Sequence, residues 1–110
     1  MKNTKKILGV AVTACCVSLM VHAECVMPPA PSKVPDGRTA SKQEMVAAMQ
    51  TLKEYSADVE TYLRCIDFEA KQDHMPSSDQ VKLHNAAVDQ LTKVTGKFNE
   101  QVRAFKSKSN

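Results

Sequence analysis

Cysteine, histidine and methionine are the residues of this chain best suited to chemistry, and their spacing decides which chemistry is open to them. Four cysteines are present. Cys15 and Cys16 sit inside an apolar run, whereas Cys25 and Cys65 stand outside it, with no C-x-x-C spacing and no obvious thiolate-stabilising neighbour to make either one redox-active. In an oxidising compartment such an even pair is expected to close a disulfide. A loop of that length gives about 4 kcal/mol in the chain-entropy account. His74 and His84 are the only metal-site candidates, with Asp67, Glu69, Asp73 and Met75 near the first of them. Exported proteins use Met and His for copper, but no H-x-x-x-H or E-x-x-H pattern is present, and Met45 and Met49 fall at core spacing. The carboxylates Glu54, Asp58 and Glu69 are spaced like a solvated helix face, and Glu60–Arg64 and Asp67–Lys71 fit i,i+4 ion pairs. There is no G-x-S-x-G and no glycine-rich phosphate loop. The expectation is no catalytic residue, no cofactor and no metal site.

The compartment is read from the first residues. Lys2, Lys5 and Lys6 precede a nearly uncharged stretch from Ile7 to Val21, and Val21-His22-Ala23 fits the exit read by signal peptidase. Residues 1–23 therefore read as a signal peptide, and the expected address is the periplasm. A competing exit, Val12-Thr13-Ala14-Cys15, would instead make a lipoprotein anchored through Cys15. Against it, the apolar run continues through Val17, Leu19, Met20 and Val21. At about 15 residues the run is shorter than the roughly 20 that span a bilayer. The formal charge of +3 (15 basic, 12 acidic residues) comes entirely from the three leader lysines. What remains is formally neutral, so nucleic acid is not an expected partner and no stable membrane anchor is expected unless Cys15 is lipidated.

Three further segments follow. Residues 24–40 carry Pro28, Pro29, Pro31 and Pro35 and read as extended, ending in a turn at Asp36-Gly37. Ser41-x-x-Glu44 is a capping box opening a helix over about 42–73, and Ser77-x-x-Gln80 a second one opening a helix over about 78–106. Pro76 separates the two, and 107–110 form a polar tail. In helix one, Met45, Leu52, Val59 and Ile66 repeat every seven residues, with Met49, Ser56, Leu63 and Ala70 four further on. In helix two, Val81, Val88, Thr95 and Val102 alternate with His84, Leu91, Phe98 and Phe105. Gly96 falls mid-helix and suggests a close crossing or a kink.

The fold expected from these segments is all-α, an antiparallel two-helix hairpin of coiled-coil character over residues 41–106. A hairpin leaves one side of each apolar stripe wet. The proline segment can reach back along helix one to Cys65, so a strap closed by Cys25–Cys65 is expected, with Pro28 and Pro31 docking on Tyr55 and Tyr62.

The start Cys25-x-x-Pro28-x-x-Pro31-x-x-x-Pro35-Asp36-Gly37, followed by Ser41-x-x-Glu44-Met45 and Tyr62-x-x-Cys65, resembles an uncharacterised family of small exported proteins of Gram-negative bacteria. The resemblance covers roughly residues 24–70. It implies the same cysteine pairing and a periplasmic address, and brings no activity with it. The function expected is a non-enzymatic interaction or structural module that self-associates or docks on another periplasmic protein. The alternative is a periplasmic copper- or zinc-binding protein.

Overall fold

The computed structural model describes residues 24–108; residues 1–23, with the expected signal peptide, Cys15 and the two cleavage alternatives, lie outside the described residues, as do 109–110. Two helices, α1 (Lys42–Lys71) and α2 (Ser77–Lys108), pack against one another as a hairpin, and Cys25 is bonded to Cys65.

Local chemistry sets each helix end. The α1 N-terminus carries the capping box: the Ser41 hydroxyl accepts the Glu44 N–H at 3.2 Å, and the Glu44 carboxylate accepts the Ser41 N–H at 2.6 Å. At the other end α1 stops at Lys71, two residues before the boundary expected from Pro76. Asp73 enters the left-handed region (φ 57°), its N–H donates to the Ala70 carbonyl, and the His74 N–H donates to the Glu69 carbonyl. This is the Schellman pattern with Asp where glycine is usual.

The second capping box does not form. The Pro76 carbonyl accepts the N–H groups of Asp79 and Gln80, so the helix starts directly behind the proline. The Gln80 amide, free of any capping duty, reaches across to Asp67 of α1 at 2.5 Å. α2 also runs two residues beyond its expected end. The Lys108 ammonium donates to the Ala40 carbonyl and lies 4.7 Å from the centre of the Phe105 ring, which holds the last turn in place.

The seam between the helices is shifted from the expected one. On α1, Met45, Ala48, Leu52, Tyr55, Val59, Tyr62 and Ile66 are buried or half-buried, alternating three and four apart. Of the expected second set, Ser56, Leu63 and Ala70 are half-buried, with Leu63 packed on the core, and Met49 is exposed; Tyr55 and Tyr62, three residues after the first set, are buried more deeply. On α2, His84, Leu91, Phe98 and Phe105 keep their expected inward place. Gln80, Ala87, Val94 and Gln101 join them; of the other expected set, Thr95 and Val102 are half-buried, with Val102 packed on the Phe98 cluster, while Val81 and Val88 are exposed. Both shifts turn the helices toward residues 24–40. Val59 and Ile66 are completely buried, and Cys25, Met27 and Ala30 pack on the cluster they form with Tyr55, Tyr62 and Ala87. Val34 packs on a second cluster of Ala40, Met45 and Phe98.

The two glycines of this region have opposite roles. Gly37 is buried, its N–H donates to the Gln101 side-chain oxygen at 2.9 Å, and a Cβ added there would come within 1.9 Å of the Gln101 carbonyl oxygen. Its φ is not positive, so close approach to α2 is what requires glycine. Gly96 is exposed with nothing within 4 Å of an added Cβ, so the crossing expected there is absent. The two Gly→Ala substitutions should therefore have opposite signs in denaturant unfolding. Gly96→Ala should stabilise by about 1 kcal/mol, and Gly37→Ala should destabilise by about 1–3 kcal/mol.

Candidate functional site

The residues singled out in the sequence are distributed over three places. The first is the junction of residues 24–40 with the helices. Ser41 and Cys65 are 24 residues apart on α1, or about 36 Å, and the sixteen residues between Cys25 and Ser41 cover the same span. That is about 2.2 Å per residue, short of the roughly 3.1 Å of polyproline II. Part of the shortening is the turn in which the Asp36 carbonyl accepts the N–H groups of Thr39 and Ala40. Pro28 and Tyr62 line one shallow cleft of about 320 Å³ beside Cys25 and Cys65. Pro31 lies further along, in a small cleft with Leu52, Val94 and Phe98.

Tyr55 is different. It is 4% exposed, inside the cluster with Val59, and its hydroxyl has no hydrogen-bond partner among the described residues. Burial pushes its phenol above the usual value of 10.0.

Two carboxylates are held in the opposite direction. The Arg38 side chain beside Asp36 lowers that carboxyl, and the Ser41 N–H lowers Glu44. Both lie at the surface. Groups lowered in this way stabilise the fold above their usual values of 3.8 and 4.5, and that stability is lost as pH falls through the lowered values.

The second place is the hairpin end. The His74 Nδ1 lies 3.0 Å from a Glu69 carboxylate oxygen, with the His ring 44% exposed. Both side chains, with Glu24, Met75, Leu83 and Ile66, line a cavity of about 580 Å³ next to Cys25. His84 does not join them; it is half-buried on α2, seven residues past Ser77 and thus about 10 Å along the helix. Among the described residues no group of three or more His, Cys, Asp or Glu is placed to hold a metal ion.

The third place is the charged surface. Neither Glu60–Arg64 nor Asp67–Lys71 closes as an ion pair, and among the described residues no ion pair joins α1 to α2. Asp67 bonds Gln80 instead.

No family model, curated protein or solved structure matches this chain. Among the described residues no helix is long and apolar enough to cross a membrane.

Gln101 went unnoticed in the sequence and Gln80 stood out only as a capping residue, because polar residues at seam positions break the apolar pattern. The usable signal is their place at the two ends of the α2 seam, where each finds a partner outside its own helix. The unpartnered Tyr55 hydroxyl yields a direct check. Tyr55→Phe should leave stability unchanged or raise it by about 1 kcal/mol, since it removes a buried polar group without a partner; a loss larger than that would mean the hydroxyl is bonded. Above pH 10 the native protein should lose stability as the unfolded chain, but not buried Tyr55, gives up its proton.

Proposed function

We propose that this chain is an exported, non-enzymatic interaction or structural module of the periplasm, delivered by its leader and closed by the Cys25–Cys65 bond. The observation that carries the reading is what stays outside after packing. The core formed by α1, α2 and residues 24–40 contains no buried charged residue, while Val81 at 52%, Met49 at 44% and Val88 at 39% remain exposed. Apolar side chains left out of a completed core at helical spacing are the usual material of protein–protein contacts. Among the described residues nothing comparable gathers catalytic groups: the titratable side chains displaced from their usual values there are two surface carboxylates with local partners, the arginine beside one of them, and one buried tyrosine. The proline segment serves in this reading as an internal strap, a ligand-like strand that already fills one groove of the hairpin.

A second reading, a copper- or zinc-binding protein, draws on Glu69, His74 and Met75 lining one cavity. Metal analysis of the exported protein separates the two. The module reading predicts a chain beginning at Glu24, without its two thiol hydrogens and without stoichiometric metal. Copper or zinc bound one-to-one and lost in His74→Ala would replace it with the metal reading. A mass beginning at a lipidated Cys15 would move the protein to a membrane surface.

A further inference from the structure

The α1–α2 seam leaves most of a second stripe of α2 uncovered: Val81, Asn85, Val88, Thr92 and Asn99 are exposed, Thr95 is half-buried, and Val102 is half-buried against the Phe98 cluster. From Val81 through Asn85, Val88, Thr92, Thr95 and Asn99 to Val102, positions alternate four and three apart over three heptads, the spacing of a coiled-coil stripe. The flank of α2 with Gln90, Lys93 and Lys97 faces the cleft beside Pro31, so this stripe lies on the side away from residues 24–40. α2 carries three acidic and six basic side chains, and none falls on the stripe. Across the groove between the helices, the same side of α1 offers exposed Met49 and the outer edges of half-buried Ser56 and Leu63, the latter also packed on the core.

We infer that this charge-free reverse face is a two-fold interface between two copies of the chain. The inference deepens the module reading and rests on it, naming the partner as a second copy. Charge is the first reason for this occupant. In a two-fold contact the same patch meets itself, so charge of one sign would oppose itself, and α2 keeps its outer arc free of charge for about 32 Å. Register is the second. The Gln80–Asp67 bond sets Ser56 of α1 level with Leu91 of α2. A single two-fold axis across both helices at that level stacks α1 on α1 and α2 on α2, antiparallel. It sets Met49 over the second copy's Leu63, and Val81 over its Val102. On the α1 edge, where charges return, Lys53 of each copy falls beside Glu60 of the other. Area is the third. A face two helices wide, roughly 20 Å, and about 32 Å long buries on the order of 600 Å² per copy, about 1,200 Å² in all, at the lower bound of stable interfaces.

Light scattering of the oxidised chain from Glu24 onward over a concentration series, with metal analysis on the same sample, tests this. The mass should rise to that of a dimer. Val88→Glu, which brings like charges toward each other near the axis, should weaken pairing at least tenfold with the helical circular dichroism unchanged. Glu100→Lys, on the other flank, should leave it intact. Lys53→Glu should weaken the dimer, and adding Glu60→Lys should restore it. A monomer without metal at every concentration overturns the pairing but not the module. A monomer with stoichiometric copper or zinc overturns both. A dimer indifferent to Val88→Glu and Lys53→Glu overturns this face as its site.

Discussion

Two helices packed side by side can each bury only one stripe, and the rest of this structure depends on the Cys25–Cys65 bond that ties a third element to them. Cys25 is fixed at the upper part of α1, and Ser41 begins α1 at its lower end. The residues between are thereby confined to the length of the helix, and Met27, Ala30 and Val34 pack on the core. The bond limits the unfolded chain as well, by closing a loop of 40 residues. A chain this small has few other sources of stability: its core is a handful of residues, and its exposed ion pairs, such as Arg38–Asp36, contribute little.

Polar side chains set the register at both ends of α2. Gln80 bonds Asp67 near the hairpin turn, and Gln101 bonds the Gly37 N–H near the other end. Each occupies a position where an apolar residue would pack, and each ties α2 to a different neighbour, α1 in one case and the turn before α1 in the other. Lys108 adds a third such tie through the Ala40 carbonyl. α2 therefore has its position along the hairpin specified by directional bonds, while the apolar seam between supplies burial. That fixed register also places Ser56 level with Leu91, the alignment on which the reverse-face pairing turns.

Much of the fold was legible in the residues. Two unbroken helical patterns around Pro76 spell a hairpin, Ser41 and Glu44 spell the first helix start, and Cys25 and Cys65 spell the disulfide. The seam was misread in part, at Met49, Val81 and Val88, for a physical reason. Those residues are more apolar than Ala48, Gln80 and Ala87, yet the amphipathic tyrosines and small alanines pack where residues 24–40 approach. A helix with two usable stripes gives no local sign of which one the third element will cover. Ser77 and Gln80 misled in the same way, since the tertiary bond to Asp67 outcompeted a local cap. Gly96 was read as a close crossing or a kink and Gly37 only as a turn, because close approach between distant segments leaves no mark on local sequence. At the candidate site, His74 and His84 stood out by residue type, but the turn and the pitch of α2 keep them apart.

Met27, Ala30 and Val34 pack on the core, so the disulfide-held segment is a layer of the fold and not an appendage. Denaturant unfolding of the chain from Glu24 onward, oxidised against reduced, with the near-ultraviolet signal of its tyrosines followed in parallel, tests this. Reduction should lower the unfolding free energy by about 4 kcal/mol and loosen the surroundings of Tyr55 and Tyr62. An unchanged midpoint with an unchanged tyrosine signal would contradict it.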